Sequence, residues 1–331
     1  MSEIRENPLT GEWVIIAPAR AKRGGNSGVP PPPPDGPGFV AGCPFCPGNE
    51  SQSEECFRVG SADGNWAVRS VLNKFSVLSS DGEVARPECS APGQVSVNAV
   101  GRHEVLVESP RHDFALGRAS HEEVERILQA YRERFLVFSA DPRVRHVIIF
   151  KNHGAEAGAS QQHPHSQIVG LPILPGQVEE RIERSQRYLA DNAGCLGCAL
   201  IARERGQACR IVAENDEYVA FIPYAALSPY HLWIFPKRHA ACFAAESGMA
   251  ALAEILRTVL GKISGMLGNP AFNLIIRSLG PEEKHAAHFH WYISIVPRVN
   301  KRAGFELGTG MYINPSSPES CAQALREFVP G

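Results

Sequence analysis

The feature of this chain that most constrains its fold is an internal repetition, because two halves carry the same motifs in the same order. In the first half, a CPFC motif is followed by the strand-like VLVESPRH, a helical stretch, the strand-like VIIFKN and the segment HPHSQIVGLPILP. In the second half, CLGC is followed by LWIFPKRH, a helical stretch, NLIIRS and HFHWYISIVPR. A repeated order of elements indicates copies of one structural unit. We therefore predict two related units, residues 1–190 and residues 191–331.

The pattern of strands and helices predicts an α+β fold. Apolar runs indicate strands at residues 13–17, 104–108, 147–150, 231–235, 272–276 and 291–296. Helical periodicity covers residues 120–138, where Ser120 and Glu123 match a capping box, and also residues 178–192 and 250–267. A doubly wound parallel sheet is the alternative, but the chain lacks the glycine-rich turn with which that fold binds phosphate. A largely antiparallel sheet is therefore the better prediction.

The charge and the N-terminus limit the class of protein. The formal net charge is -2, so no strong field attracts nucleic acid or a membrane surface. The first residues contain no apolar run typical of a signal peptide, and no later run is long enough to span a bilayer. We expect a cytoplasmic protein that binds neither nucleic acid nor membrane. Residues 24–42, rich in glycine and proline, are expected to form an irregular loop.

Closely spaced cysteines indicate two metal sites. The chain has nine cysteines, and close pairs in a reducing compartment are more often metal ligands than disulfides. Each CxxC motif is followed by a histidine after a strand and by an HxH motif, which together supply the sulfur and nitrogen ligands of tetrahedral zinc. The alternative, packed thiols and surface histidines, is disfavoured by the repetition. We predict two zinc ions per chain, bound by Cys43, Cys46, His112 and His163, and by Cys195, Cys198, His239 and His288, with His290 and His231 as substitutes for His288 and His239.

The first HxH motif also offers a candidate nucleophile. His163 and His165 point to the same face if the segment is extended, and Pro164 stiffens the backbone between them. If His163 binds the metal, His165 is held rigidly with a free imidazole nitrogen that can attack phosphorus. The residues alone support equally well a second metal ligand or a hydrogen-bonding role for His165.

Several motifs together resemble a known family. GASQQHPHSQ, CPFC, SPRHD, FKNHG and the N-terminal NPLTGEWVIIAPARAKR resemble the galactose-1-phosphate uridylyltransferase family of the histidine-triad superfamily, over nearly the whole chain. The resemblance implies two histidine-triad-like repeats, a curved antiparallel sheet and a homodimer. It also implies that His165 attacks the α-phosphorus of a nucleoside diphosphate sugar and expels the sugar 1-phosphate.

The same resemblance implies roles for further residues. Gln167 and Ser160 correspond to side chains that bind the transferred phosphoryl oxygens, and preorganised donors of this kind stabilise growing charge. The remaining residues are Asn152 at the phosphate, Asn73 and Phe75 in the nucleoside pocket, and Arg20, Lys22 and Arg23 near the sugar phosphate. On spacing alone, Asn152 is equally well a turn residue, and the three basic residues are a solvated cluster.

The chain departs from the galactose enzymes at two positions. Lys74 stands where they carry an acidic residue, and Tyr312 stands where they carry a glutamine six residues after the glutamate matched by Glu306. The segment GFELGTGMYINPSSPE instead resembles the ADP-glucose phosphorylase branch of the family, which transfers an adenylyl group to phosphate. Both departures concern substrate recognition.

These observations predict a nucleotidyltransferase. The leading prediction is transfer of a nucleoside monophosphate from a nucleoside diphosphate hexose to a hexose 1-phosphate or phosphate, of the UDP-glucose:hexose-1-phosphate uridylyltransferase type. The alternatives are an ADP-glucose phosphorylase and a nucleotidyl hydrolase. A zinc-dependent nucleic-acid-binding module is disfavoured by the near-neutral charge and by the lack of a basic stripe with interleaved aromatic residues.

Overall fold

The computed structural model describes residues 2–22, 36–62, 64–85 and 93–329. Its α-helices are α1 (His121–Ser139), α2 (Gly176–Asn192), α3 (Leu196–Gln207), α4 (Ala250–Leu267), α5 (Gly304–Thr309) and α6 (Pro318–Glu327). Its strands are β1 (Glu3–Glu6), β2 (Trp13–Ile16), β3 (Glu55–Gly60), β4 (Trp66–Leu72), β5 (Arg102–Val107), β6 (His146–His153), β7 (His165–Leu171), β8 (Ile211–Glu214), β9 (Tyr218–Phe221), β10 (Leu232–Pro236), β11 (Phe272–Arg277), β12 (Tyr292–Pro297) and β13 (Tyr312–Asn314).

A ten-stranded sheet with the order β3-β4-β5-β7-β6-β11-β12-β10-β9-β8 forms the centre of the protein. Every strand pair in this sheet is antiparallel. The order read inward from β3 matches the order read inward from β8, so β7 corresponds to β12 and β6 to β11. The predicted α+β fold with an antiparallel sheet and an internal repeat is therefore confirmed.

The two halves of the sheet meet along β6 and β11. Asn152 pairs with Asn273 there, and Ile149 pairs with Ile276. Helix α1 connects β5 to β6, and helix α4 connects β10 to β11, so the connections also correspond. Both helices contribute to one apolar core on the same face of the sheet, together with side chains such as Ile149 and Ile276. We call the opposite face, which carries the alternate side chains of the strands, the site face.

Helix α4 has the bounds that its sequence predicts, and α1 begins and ends one residue later than predicted. The hydroxyl of Ser120 accepts a hydrogen bond from the Glu123 amide at 3.2 Å, and the Glu123 carboxylate accepts one from the Ser120 amide at 2.8 Å, which completes the capping box. Helix α4 ends before Gly268, whose φ of 68° is the left-handed conformation that glycine adopts at helix ends.

A second, three-stranded sheet joins the two ends of the chain. Strands β1 and β2 are antiparallel, and β13 pairs with β2 in parallel. The predicted boundary after residue 190 falls inside helix α2 (Gly176–Asn192), while one sheet and one core cross between the halves, so the division into two units stays a prediction. Within the described ranges, no helix combines the length and apolar character that crossing a membrane requires.

Candidate metal centres and active site

The structure brings together the four residues predicted for the first metal site, Cys43, Cys46, His112 and His163. Their ligand atoms all lie within 4.8 Å of one another. Cys46 Sγ is 3.5 Å from His112 Nδ1 and 3.6 Å from His163 Nδ1. Two thiols and two imidazoles at these distances form a group that could hold a metal ion, and this ligand set suits tetrahedral zinc.

Hydrogen bonding prepares His163 as a metal ligand. His163 Nε2 donates to the Ser109 carbonyl at 2.8 Å, so the lone pair is on Nδ1, the atom that faces the cysteines. Burial lowers the pKa of His163 to about 4, which keeps the ring in the neutral form that binds metals. The side chain is fully buried, so its orientation is fixed.

The second metal group differs from its prediction by one residue. It contains Cys195, Cys198, His239 and His290, and His288 is not part of it. Cys198 Sγ lies 3.5 Å from both His239 Nδ1 and His290 Nδ1. The His288 backbone carbonyl, and not its ring, approaches Cys195 Sγ at 3.7 Å. The suggested substitute His231 lies elsewhere, where its Nε2 is 2.9 Å from Ser294 Oγ.

The register of the repeat explains why His290 replaces His288. His112 and His163 lie 51 residues apart, and His239 and His290 have the same separation. His290 Nε2 donates to the Pro236 carbonyl at 2.9 Å, as His163 donates to Ser109. Matching the first histidine of each HxH motif was therefore wrong, although the equal spacing was visible in the sequence. It also follows that Tyr292 stands two residues after the second-half ligand, where the first half has His165.

His165 is buried beside the first metal group with one ring nitrogen fixed. Its Nδ1 donates to the His163 carbonyl at 2.8 Å, which leaves the Nε2 lone pair available. The ring of Phe45 lies 5.7 Å away, centroid to centroid. Burial lowers the pKa of His165, so the neutral imidazole is favoured. A fixed, neutral imidazole with a free nitrogen can act as a nucleophile towards phosphorus.

A buried ionic network supports the backbone of His165. Lys151 Nζ donates to Glu108 Oε2 at 2.7 Å and to the His165 carbonyl at 3.2 Å. The Glu108 carboxylate also accepts from the hydroxyls of Tyr131 and Ser166. Burial acts to raise the pKa of Glu108, but Lys151 and these hydroxyls outweigh it and hold the pKa below its usual value. The carboxylate is therefore charged, and its pair with Lys151 joins the end of β5 to β6 across the intervening β7.

Gln167 accepts a hydrogen bond from His103, a residue that sequence reasoning did not single out and that also lies beside Asn73. His103 Nδ1 accepts from the Val77 amide at 3.4 Å, which places the proton on Nε2. His103 Nε2 lies 2.9 Å from Gln167 Oε1 and 2.9 Å from Asn73 Nδ2. His103 is buried. The alternation of residues along β5 and β7 places it on the face of His165, but no local motif marks it.

The remaining residues that the sequence predicts for the active site make no hydrogen bond to His165 within the described ranges. Ser160, Phe75 and Arg20 are exposed. Arg20 lies in the 3-10 helix Pro18–Lys22, and Arg23 lies outside the described residues. In the same sheet, the Asn152 carboxamide oxygen accepts a hydrogen bond from the Asn273 side chain at 2.8 Å.

A family model and individual relatives of known function indicate the same family for this chain. The model of the family described as galactose-1-phosphate uridyl transferase, N-terminal domain, matches residues 1–175, and a model of a domain of unknown function matches residues 114–328. The chain is 34% identical over 330 residues to an ADP-glucose phosphorylase from Arabidopsis thaliana, covering 98% of this chain and 92% of that protein. It is 28% identical over 337 residues to a galactose-1-phosphate uridylyltransferase from Thermotoga maritima, covering 99% and 98%.

A solved structure agrees with the sequence comparison. The crystal structure of an ADP-glucose phosphorylase from Arabidopsis thaliana with bound ADP-glucose superposes with a TM-score of 0.85 at 30% identity, and the match covers 100% of both chains. The architecture described above is therefore shared along the whole chain.

Proposed function

The chain belongs to the galactose-1-phosphate uridylyltransferase family, and from this premise we propose that it transfers the adenylyl group of an ADP-hexose to inorganic phosphate. Family membership makes the protein a nucleotidyltransferase. The proposed chemistry rests on the hydrogen bonding of His165. Its Nδ1 donates to the His163 carbonyl, which leaves the Nε2 lone pair free to attack phosphorus. The adenine nucleotide is supported by the full-length similarity to an ADP-glucose phosphorylase.

The proposed reaction proceeds in two displacements. His165 Nε2 attacks the α-phosphorus, a nitrogen–phosphorus bond forms, and the bond to the leaving hexose 1-phosphate breaks. Inorganic phosphate then attacks the same phosphorus, which releases ADP and regenerates the imidazole. Gln167, Ser160 and Asn152 are proposed to donate hydrogen bonds to the phosphoryl oxygens, where charge develops. In this proposal Asn73 and Phe75 contact the nucleoside, and Arg20, Lys22 and Arg23 approach the sugar phosphate.

Zinc is proposed to act structurally in both groups. Two thiolates and two imidazoles close a tetrahedral site and leave no coordination position for substrate. In the first group, the metal would fix His163 and therefore the carbonyl that orients His165. The homodimer that the resemblance implies stays a prediction.

We expect ADP-glucose with phosphate to give a specificity constant at least about tenfold above that of UDP-glucose with galactose 1-phosphate. One lost polar contact is enough for a factor of this size, and Tyr312 replaces the glutamine expected in galactose enzymes. The measurement is kcat/KM for both pairs on one preparation of purified protein with known zinc content.

The same assay separates the rival functions. Uridylyl transfer is the second candidate, favoured by the 28% identity to the Thermotoga maritima enzyme, and exclusive use of the uridine and galactose pair would establish it. Release of AMP from ADP-glucose at an unchanged rate without phosphate would identify a hydrolase instead.

A second prediction concerns His103. Replacing His103 with leucine should lower kcat about tenfold, because the Gln167 carboxamide oxygen loses its donor at a cost of about 1–2 kcal/mol. KM for the sugar nucleotide should change less. Steady-state kinetics test this, with His121→Leu on the exposed first turn of α1 as the control. An unchanged kcat would show that Gln167 is positioned without His103.

A further inference from the structure

A cavity of about 430 Å³ lies on the site face of the second half of the sheet. Its walls come from strands β6, β10, β11 and β12, from helix α2 and from the segment after β12. The residues that bear on its chemistry are Arg181, His231, Trp233, Arg277, Tyr292 and Ser294. The mechanism proposed above uses none of these six, although Asn152 and Tyr312, which the proposed function does use, also line the cavity.

The charges that line this cavity are mostly positive. The lining holds two carboxylates and five cationic side chains, which are Glu12 and Glu306, and Arg181, Arg277, Arg298, Lys301 and Arg302. Arg298, Lys301 and Arg302 are exposed at the rim, whereas Arg181 is only 7% exposed and Arg277 is half-buried. A concave site of one charge sign attracts ions of the opposite sign.

Neither of the two deeper arginines forms an ion pair within the described ranges, although the Glu12 carboxylate acts on Arg277 from the same cavity. Among the described residues, no carboxylate lies within 4.0 Å of the guanidinium nitrogens of Arg181 or Arg277. Arg181 Nη1 donates to the Gln177 carbonyl of its own helix at 2.7 Å, and its buried Nε has no hydrogen-bond partner in the described ranges. Burial and, to a lesser extent, the charge of Arg181 lower the pKa of Arg277, and together they outweigh the opposite influence of Tyr292 and Glu12. Buried cations in this state are stabilised by an anion.

The cavity extends along β6 as far as Asn152, but its two deep arginines lie at the end remote from His165. Arg277 lies one residue beyond the Ile149–Ile276 pair, and Ile148 pairs with Val169 on β7. Arg277 is therefore two strands away from Val169, and Val169 is four residues from His165 along β7. These spacings place the backbone of Arg277 roughly 16 Å from that of His165. A phosphate held by the deep arginines is therefore not the phosphate under attack at His165.

We propose that this cavity is a second, non-covalent site for a phosphorylated sugar, with the phosphoryl group bound between Arg181 and Arg277. Planar guanidinium groups bind phosphate oxygens through paired hydrogen bonds. The buried side chains of Ser294, Tyr292 and Trp233 form the cavity wall beside these arginines, where the sugar of such a ligand would lie.

Titration calorimetry on the zinc-loaded full chain tests this proposal with glucose 1-phosphate and, separately, inorganic phosphate. Arg277→Gln should weaken one class of binding sites about tenfold or more, since a charge-assisted hydrogen bond is lost. Arg203→Gln on α3, an exposed position outside the cavity, removes the same charge and should leave binding unchanged. Arg181→Gln should reproduce the effect of Arg277→Gln.

The fluorescence of Trp233 provides a readout that does not depend on the arginine variants. Glucose 1-phosphate should change the emission of the wild-type protein, and Trp233→Phe should remove that change. Tighter binding of glucose 1-phosphate than of phosphate supports a sugar phosphate as the ligand. Equal binding of both at the Arg277-dependent site supports phosphate recognition without sugar contacts. Binding that is absent, or that is unaffected by Arg277→Gln and Arg181→Gln in folded proteins, overturns the proposal.

Discussion

Replacing His165 with alanine is expected to abolish nucleotidyl transfer, with kcat at least about a thousandfold lower, because covalent catalysis has no second nucleophile to use. Tyr292, which occupies the corresponding position of the second half, carries a phenol in place of the imidazole. The fold and the metal content should be unchanged, since only the backbone of His165 contributes to the buried network with Lys151.

Covalent labelling measures this loss directly. ADP-glucose labelled in the α-phosphate should leave a base-stable, acid-labile label on the wild-type protein and none on His165→Ala. The exposed His285, in the loop before the HFH motif, gives the control His285→Ala, which should label normally. Retention of more than a trace of label on His165→Ala would show that another residue carries the nucleotidyl group.

The internal repeat supplies a matched pair of metal-site variants. Cys46→Ser and Cys198→Ser should each remove one of two zinc ions per chain, and Cys46→Ser should lower kcat about a hundredfold. The first site fixes His163, whose carbonyl orients His165, and outer partners of this kind change activity about 10- to 100-fold. Cys198→Ser should lower kcat less than about tenfold, because Tyr292 replaces the nucleophile in that half.

Elemental analysis measures the zinc content of the two variants. Their kcat values are measured at a temperature at which both proteins are still folded. Loss of a structural metal also removes folding free energy, so both proteins should melt at lower temperature. Equal losses of activity would show that the second site supports catalysis through the shared sheet. Full activity and full stability of a metal-free protein would exclude a structural role for both sites.

Sequence patterns predicted the parts of the fold whose signals are local. Helix α4 was predicted from its apolar periodicity with its observed bounds, and the cap of α1 was visible as Ser120 and Glu123. Helix α3 was missed because it begins inside the CLGC motif, with Cys195 as its N-cap, and because its apolar residues do not lie on one side. Strands β1, β8, β9 and β13 have only three or four residues each, too few for an alternating pattern to be distinctive.

The candidate site was predictable where residue types carry the chemistry. Cysteine and histidine spacing identified the metal groups apart from His290, which the equal separation of the histidine pairs would also have identified. Glu108, Lys151 and His103 carry no local signal. They are brought to His165 and Gln167 by strand pairings between segments that are distant in the chain, which a single sequence does not encode in any one window.

The three-stranded sheet sets the order in which a growing chain can complete its structure. Strands β3 to β7, together with His165, are contiguous within residues 55–171 and can pair while the ribosome is still adding the second half. Strands β1 and β2 leave the ribosome first, but β13 does not exist until residue 314 has been added. At synthesis rates of roughly 5–20 residues per second, that interval is on the order of tens of seconds. Strand β2 therefore waits through that interval for its partner, and its edge is open to other chains throughout that time.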